Sequence, residues 1–464
     1  MRDVDVGARE RRWLAGATVA YLSLALWLFR RAATDGWFDS NDLRGQARLP
    51  LFSERFWRGE RPPGYPLLLK ALGPFSPWLP RLQLALYVLA FIVVAWGLAR
   101  RCRTAWVRTA AYAIVLFGSL SGGLFEWTHG ISTESLSVSL FVLPVGLVLA
   151  GATSPTRPRW QRRLAYVVIA ASLVEWLMLR DLDAAWLAVA AAASALLAFR
   201  LRAPSWVRRD ALAAVALAAV ALVAVALSSD GGQRWRYPLV NILAHRVLTD
   251  PVRLAFFQRH GMPDNPKTRC FAGHWACDCK YDYSGFEPWL TLHGKQTYAR
   301  DLWRHPRRLF VEPLAHWKAL LTGDRYDEPG SATLSYYSLE KTGRLRGLWS
   351  RLFLWKWRAL RNEAIVLLVL LVWARRRARL ALDGDTAPLV VLAATVYPLL
   401  VLVWHGDAME IQRHALVAIV SSRLALWGAY AVAVDRLAQS FSAATAGGNS
   451  SATSPSSRSV ASSS

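Results

Sequence analysis

The apolar residues of this 464-residue chain fall into long runs, and no other feature of the sequence constrains its fold as strongly. A helix needs about 20 apolar residues to cross a hydrocarbon core that is about 30 Å thick. Runs of about that length recur along most of the chain, and 54% of all residues are hydrophobic. Because a chain in lipid must satisfy its backbone hydrogen bonds internally, such runs form helices. We therefore predict an all-α polytopic membrane protein.

The runs predict about ten transmembrane helices and four regions. The predicted spans cover about 13–29, 82–98, 107–124, from 131 to before 157, 164–179, 184–199, 211–227, 364–374, 388–404 and 415–434. A large extracytoplasmic segment, here called the outer segment (228–362), lies between spans seven and eight. It separates an N-terminal transmembrane module (1–227) from a C-terminal one (363–436). The last region (437–464) is rich in serine, and we expect it to be disordered.

The positive charge of the chain orients it in the membrane. The formal net charge is +24, and most arginines stand in short clusters between apolar runs. Such clusters are typical of cytoplasmic loops and not of a nucleic-acid surface, so we expect no nucleic-acid partner. The N-terminus and these clusters share one side, which predicts that both termini are cytoplasmic. One basic aromatic stretch (345–361) lies on the other side, where it indicates either an interfacial helix that attracts lipid phosphates or a plain anchor.

Charged and aromatic residues gather at the outer ends of the predicted spans. Four places contribute them: Asp39 and Asp42 after span one, His129 and Glu134 at the start of span four, Arg180, Asp181 and Asp183 between spans five and six, and Glu410, Arg413 and His414 before span ten. The loop after span one also holds the stretch 61–66, with Arg61 and Tyr65, which predicts a sharp turn into a short interfacial helix. Charges at the membrane boundary normally have a partner or a function. We therefore expect one cleft beneath the outer segment.

Several of these motifs resemble those of the membrane-embedded glycosyltransferases of the C type. The resemblance rests on the acidic first loop, Arg61-Pro62-Pro63-Gly64-Tyr65-Pro66, Ile131-Ser132-Thr133-Glu134-Ser135-Leu136 and Glu410-Ile411-Gln412-Arg413-His414, with Arg180-Asp181 as a further element. It implies a polyprenyl-phosphate-linked sugar donor and a glycan, lipid or protein acceptor at the outer face of a bacterial plasma membrane. The chain departs from some members because it lacks their large soluble C-terminal domain and an adjacent pair of acids in the first loop.

The residue types suit transfer of a hexosyl or pentosyl group from a lipid phosphate. Asp39 or Asp42 can deprotonate the acceptor hydroxyl in a single inverting displacement, and Glu134 is a third catalytic candidate. Arginine side chains can stabilise the negative charge that develops on the leaving phosphate. The substrate-binding candidates are Arg61, Tyr65, His129, Arg180, Asp181, Glu410, Arg413 and His414. We assign no metal ligand, and the requirement for a divalent cation stays open.

Three cysteines of the outer segment lie close together in sequence. A disulfide from Cys270 to Cys277 or to Cys279 is the expected arrangement outside the cytoplasm, while Cys102 is expected to be a free thiol. A zinc site that uses these three cysteines with His274 is the alternative.

Two other functions compete with glycosyl transfer. A transporter or lipid flippase needs ionisable groups near the bilayer midplane, and Glu175 in span five is the acidic candidate for it. A scaffold without enzymatic activity needs none of the outer charges individually.

Overall fold

The computed structural model of the chain describes residues 2–30, 40–128, 130–274, 279–280, 282–322, 357–378, 386–408 and 411–450. Within these ranges all regular structure is helical, and no strand occurs. Six of the described helices are long and apolar enough to cross a membrane. The prediction of an all-α multi-pass membrane protein is therefore confirmed, whereas the number of about ten spans stays a prediction.

The N-terminal module contains most of the long helices. Its elements are α1 (Arg2–Arg30), α2 (Ser40–Arg48), α3 (Glu54–Trp57), α4 (Gly64–Leu72), α5 (Trp78–Ala99), α6 (Ala105–Ser119), α7 (Gly122–Phe125), α8 (Thr133–Leu149), α9 (Arg159–Leu177), α10 (Asp181–Arg200) and α11 (Ser205–Gly231). Of these, α1, α5, α10 and α11 meet the requirement for a span, and α6 and α8 are shorter apolar helices.

The outer segment is built from shorter helices. They are α12 (Arg236–Ile242), α13 (Pro251–Arg259), α14 (Pro266–Cys270), α15 (Lys295–Arg304), α16 (Pro306–Ala315) and α17 (Trp317–Thr322). Proline at the first helical position and a capping side chain explain two of the starts. The Asp250 carboxylate accepts from the backbone of α13, and the Asn265 side chain accepts from that of α14.

A disulfide closes the loop after α14. It joins Cys270 to Cys279, which selects one of the two predicted pairings. Because both sulfurs are bonded to each other, neither is a thiolate for the alternative zinc site. Cys277 lies outside the described residues, and Cys102 is buried and forms no disulfide, as predicted.

The C-terminal module contains α18 (Trp357–Ala378), α19 (Ala387–Gly406), α20 (Ile411–His414) and α21 (Leu416–Ser450). Helix α21 continues through residue 450. The expected disorder of the serine-rich region 437–464 stays a prediction.

Contacts between helix ends show which ends share one side of the bundle. Glu10 of α1 pairs with Arg108 of α6 at 2.9 Å, and the Arg101 guanidinium at the end of α5 donates to the backbone of Leu149 at the end of α8. The Asp435 carboxylate of α21 accepts from the backbone N–H groups of residues 103 and 104. We call this side the arginine end and the opposite side the site end.

Two tryptophans of α5 mark the thickness of the apolar zone. Trp78 and Trp96 are 18 positions apart, which is five full helical turns and about 27 Å along the axis. Both rings are exposed on the same face, with the exposed Leu89 between them. Exposed tryptophans are enriched at both membrane surfaces, and this spacing matches a hydrocarbon core of about 30 Å. The spacing therefore predicts that Trp78 lies at the membrane surface of the site end and Trp96 at that of the arginine end.

Helices α5 and α8 cross in close contact at two glycines. A side-chain carbon on Gly146 would lie 2.6 Å from the backbone nitrogen of Val94, and one on Gly97 would lie 2.6 Å from the carbonyl oxygen of Gly146. Small residues allow helix backbones in membranes to approach closely. This crossing holds α8, which carries Glu134, against the centre of the bundle.

Helix α18 contains the apolar run of the predicted eighth span and extends beyond it at both ends. The apolar run covers only 364–374, but the helix begins earlier and includes Glu363. The Glu363 carboxylate accepts a hydrogen bond from Arg423 of α21, whose side chain is almost completely buried. The pair compensates the charges of both side chains between α18 and α21.

This pair leads to a stability prediction. Glu363→Leu should lower the apparent melting temperature in detergent, because Arg423 would keep a buried charge without its carboxylate. The double variant Glu363→Leu/Arg423→Met should recover much of the loss, since it removes both charges. Tryptophan fluorescence during heating measures the melting temperature of each variant, and Arg208→Met is the control for an exposed arginine. The pairing would be contradicted if the melting temperature of the double variant fell by the sum of the decreases in Glu363→Leu and Arg423→Met alone.

Candidate functional site

The centre of the site is the buried carboxylate of Glu134. Glu134 lies in the first turn of α8 and is completely inaccessible to solvent. The Arg413 Nε donates to its Oε1 at 2.5 Å, and the Arg180 Nη2 lies 3.6 Å from the same oxygen. Three of the predicted site residues, from three distant parts of the chain, therefore meet at one oxygen atom.

Cationic groups surround the Glu134 carboxylate at this centre. Two guanidinium groups face one carboxylate, and the partial positive charge of the N-terminus of α8 adds to theirs. Ser132 and Ser135 flank Glu134, and the hydroxyl oxygens of both are buried at the same centre. Because a hydroxyl group can donate, these two side chains add hydrogen-bond donors to the two guanidinium groups.

A histidine and an aspartate extend the cluster away from Glu134. The Arg180 Nη2 donates to the His414 Nδ1 at 2.6 Å. Because arginine can only donate, Nδ1 must accept, and the proton of the neutral ring is then on Nε2. That nitrogen lies 3.7 Å from the Asp407 carboxylate. His414 and Arg180 thus connect Asp407 to Glu134.

The outer segment holds Asp407 in place. The Asn241 side chain donates to the Asp407 carboxylate at 3.2 Å, and the Arg246 Nη2 donates to its backbone oxygen at 3.2 Å. The Arg246 guanidinium also lies 3.8 Å from the centroid of the Trp404 ring, and Ala408 is completely buried. The outer segment therefore packs directly on the loop between α19 and α20, as a cover over the site would.

Asp181 is held by an arginine that the sequence analysis did not identify. Arg234 makes two parallel hydrogen bonds of 2.9 Å to the Asp181 carboxylate, and its side chain is almost completely buried. It also donates to the backbone oxygen of Gly59 at 3.4 Å. Arg234 therefore connects the first loop to the start of α10, next to Arg180. The sequence shows only an arginine between two apolar regions, and nothing in it identifies this partner.

A second buried carboxylate, Asp183, belongs to the same region. Ser137 of α8 donates to it at 3.1 Å, and Trp176 of α9 donates to the Ser137 hydroxyl at 3.0 Å. Asp183 stands among the polar span ends that the sequence analysis noted, but it is not one of the predicted site residues. Asp181 and Asp183 are two positions apart in the first turn of α10, so their side chains point to different sides of the helix. The two carboxylates therefore have different neighbours.

The first loop presents Asp42 on its surface. Asp42 lies in the first turn of α2, with its side chain 46% exposed, and pairs with Arg61 at 2.9 Å. The Gln46 side chain fixes the backbone of Arg61 from both sides, because it accepts from the N–H at 3.2 Å and donates to the oxygen at 2.8 Å. Ser40, at the start of α2, donates to the backbone of Ile131, three residues before Glu134. The first loop is thus attached to the buried centre.

Gly64 and Tyr65, at the start of α4, connect the first loop to Met178 after α9 and to Gln83 of α5. The Gly64 N–H donates to the oxygen of Met178 at 2.8 Å, and a side chain on Gly64 would collide with that oxygen. The Tyr65 hydroxyl donates to Gln83, which in turn donates to the backbone of residues 128 and 130. Burial, and then the charge of Glu134, raise the pKa of Tyr65 well above its ordinary value. The Tyr65 side chain is completely buried, and its role in substrate binding stays a prediction.

Three predicted site residues lie outside the described residues: Asp39, His129 and Glu410. The same holds for residues 345–356 of the basic aromatic stretch, of which only the last five residues belong to α18. Within the described ranges no group of three His, Cys, Asp or Glu side chains is placed to hold a metal ion.

No protein-family model matches the chain, and no curated protein sequence matches it either. The geometry of the site is therefore the basis for inferring its chemistry.

The contact between Arg180 and His414 can be tested by replacement of the ring. His414→Leu removes the acceptor of a charged donor, which should cost about 1.5–3 kcal/mol and lower the apparent melting temperature. His414→Asn should lose less, because its side-chain oxygen can accept from the same guanidinium. The exposed His293→Leu serves as the control. Equal losses for the leucine and asparagine variants would contradict a hydrogen-bonding role.

Proposed function

We propose that this protein is a glycosyltransferase of the C type that moves a sugar from a polyprenyl-phosphate carrier to an envelope glycan, lipid or protein. The observation that carries the proposal is the pair of guanidinium groups of Arg180 and Arg413 at the buried start of α8. Guanidinium groups and helix N-termini are the groups that proteins use to bind phosphate. Their position at the site end of the bundle suits a phosphate that is carried on a membrane lipid.

The proposed reaction is a single displacement at the anomeric carbon. The acceptor hydroxyl loses its proton to a carboxylate of the first loop and forms a bond to that carbon. The bond from the carbon to the phosphate oxygen breaks, so the polyprenyl phosphate leaves with the bonding electrons and the configuration inverts. Arg180 and Arg413 stabilise the charge on the leaving phosphate.

The surroundings of the carboxylates favour different roles for them. Asp42 is exposed on α2, where an acceptor can reach it, and Asp39 stays the alternative base. Glu134 is buried and bound to two arginines, so its carboxylate is already stabilised as an anion. We assign to Glu134 the role of holding Arg180 and Arg413, and not that of the base.

The proposal includes the topology. We propose that ten helices span the membrane: α1, α5, α6, α8, α9, α10, α11, α18, α19 and α21. The arginine end would face the cytoplasm of a bacterial cell, together with both termini, and the outer segment would lie outside. The exposed tryptophans at the arginine end support this arrangement, because aromatic residues and arginine clusters occur together at that surface: Trp13, Trp96, Trp106, Trp160 and Trp373.

The structure weakens the argument for a transporter. That hypothesis placed Glu175 near the bilayer midplane, where coupling ions bind in many transporters. Helix α9 ends at Leu177, so Glu175 lies in its last turn, three residues before Met178, whose backbone oxygen accepts from the Gly64 N–H. A carboxylate in the last turn of a helix suits a midplane ion site less well than one in the middle of a helix.

The test is sugar transfer by the purified protein. It would be incubated with synthetic polyprenyl-phosphate sugars carrying a radiolabel, with bacterial envelope fractions as acceptors. Arg180→Gln and Arg413→Gln should each lower the rate by about 10²- to 10³-fold, as expected for loss of a donor to a developing anion. Asp42→Asn or Asp39→Asn should abolish transfer, whereas Glu54→Gln, on the same loop but paired with Arg58, should not.

Two results would contradict the proposal. One is full transfer activity in all four site variants at normal levels of folded protein. The other is movement of the labelled lipid across vesicles without any product when acceptor is present.

A further inference from the structure

A cluster of exposed aromatic rings lies at the corner between α4 and α5. Phe75 is 66% exposed and Trp78 is 62% exposed, although both are large and apolar. Scattered apolar residues on a protein surface are ordinary, but these two are three positions apart. Trp78 also begins α5 at the membrane surface of the site end, as its alignment with Trp96 predicts. The corner therefore lies at the level of the lipid headgroups.

Three arginines stack on these rings. The guanidinium carbons of Arg44 and Arg48 lie 4.8 and 5.8 Å from the centroid of the Phe75 ring, and that of Arg81 lies 4.7 Å from the Trp78 ring. Arg44 also donates to the backbone oxygen of residue 74 at 3.1 Å. Stacking fixes the plane of a guanidinium group and leaves most of its N–H groups able to donate to other partners.

No carboxylate of the described residues lies within ion-pair distance of these three arginines. Of the described acidic residues in and near α2, Asp42 pairs with Arg61 and Glu54 pairs with Arg58. A positive aromatic surface at headgroup level is complementary to the phosphates of anionic lipids.

We propose that this surface, formed by Arg44, Arg48, Phe75, Trp78 and Arg81, binds the headgroup phosphates of anionic phospholipids in the leaflet at the site end. The rings sit among the headgroups, and the guanidinium edges donate to phosphate oxygens. The proposal does not depend on the proposed glycosyl transfer. Its consequence is mechanical, because Arg44 and Arg48 are on α2, the helix that carries Asp42. Bound lipid would hold this helix, and its carboxylate, at a fixed height above the membrane.

The experiment is lipid titration of the purified full-length protein in an uncharged detergent. Binding of dioleoyl-phosphatidylglycerol and of dioleoyl-phosphatidylcholine is measured by native mass spectrometry. Both lipids carry a phosphate, but only the first has a net charge. The triple variant Arg44→Gln/Arg48→Gln/Arg81→Gln should bind phosphatidylglycerol about tenfold or more weakly and bind phosphatidylcholine unchanged. Added salt should weaken phosphatidylglycerol binding by the original protein more than by the variant.

The control is Arg259→Gln/Arg300→Gln/Arg304→Gln, which removes the same charge from exposed positions of the outer segment. Equal loss in both triple variants would show a general charge effect and overturn the proposal, as would no loss in the first. If inorganic phosphate displaced phosphatidylglycerol at equal concentration, the surface would be a site for free anions, and this result would also overturn the proposal. If the triple variant does not fold, Arg48→Gln and Arg81→Gln singly should each weaken binding about fivefold.

Discussion

The ion pair between Glu134 and Arg413, with Arg180 beside it, is the interaction on which the site end of this bundle depends. A carboxylate that is completely buried is costly unless cations and hydrogen-bond donors surround it. The cations come from the loop between α9 and α10 and from α20, and Glu134 comes from α8. The start of α8, the loop between α9 and α10, and α20 must therefore lie at the same level along the axis of the bundle. The requirement limits how far any of these helices can slide along its axis.

Arg180 is held on two sides by residues that also reach other parts of the chain. On one side His414 and Asp407 lead to Asn241 of the outer segment. On the other side the adjacent Asp181 is bound by Arg234, which also contacts the first loop. A shift of the outer segment would thus move Arg180 through these side-chain contacts, and not only through the connecting backbone. This explains how a covering segment and a buried charge centre can act as one unit.

The sequence allowed the main helices to be predicted, because the thickness of a bilayer sets a length that apolar runs either reach or miss. It also placed residues 134, 180 and 413 at the same end, since alternating spans return every second loop to one side. It did not identify Arg234 as the partner of Asp181, because a pair that is 53 positions apart depends on how α10, α11 and the first loop pack. The pair of Glu363 and Arg423 was not identified for a similar reason, because its residues lie on two helices and 60 positions apart.

Helix α2 connects the buried centre with the membrane surface. Its first residue, Ser40, donates to the backbone of Ile131, close to Glu134, whereas Arg44 and Arg48 stack on Phe75 at headgroup level. The helix has nine residues, so these two attachments are separated by about 12 Å at most. Asp42 stands between them on the exposed face. Because both ends of so short a helix are fixed, Asp42 has little freedom to move relative to either Glu134 or the lipid surface. In the proposed reaction Asp42 is the base for a membrane-embedded substrate, and a constraint of this kind suits that role, since small errors in the position of a catalytic group lower the rate strongly.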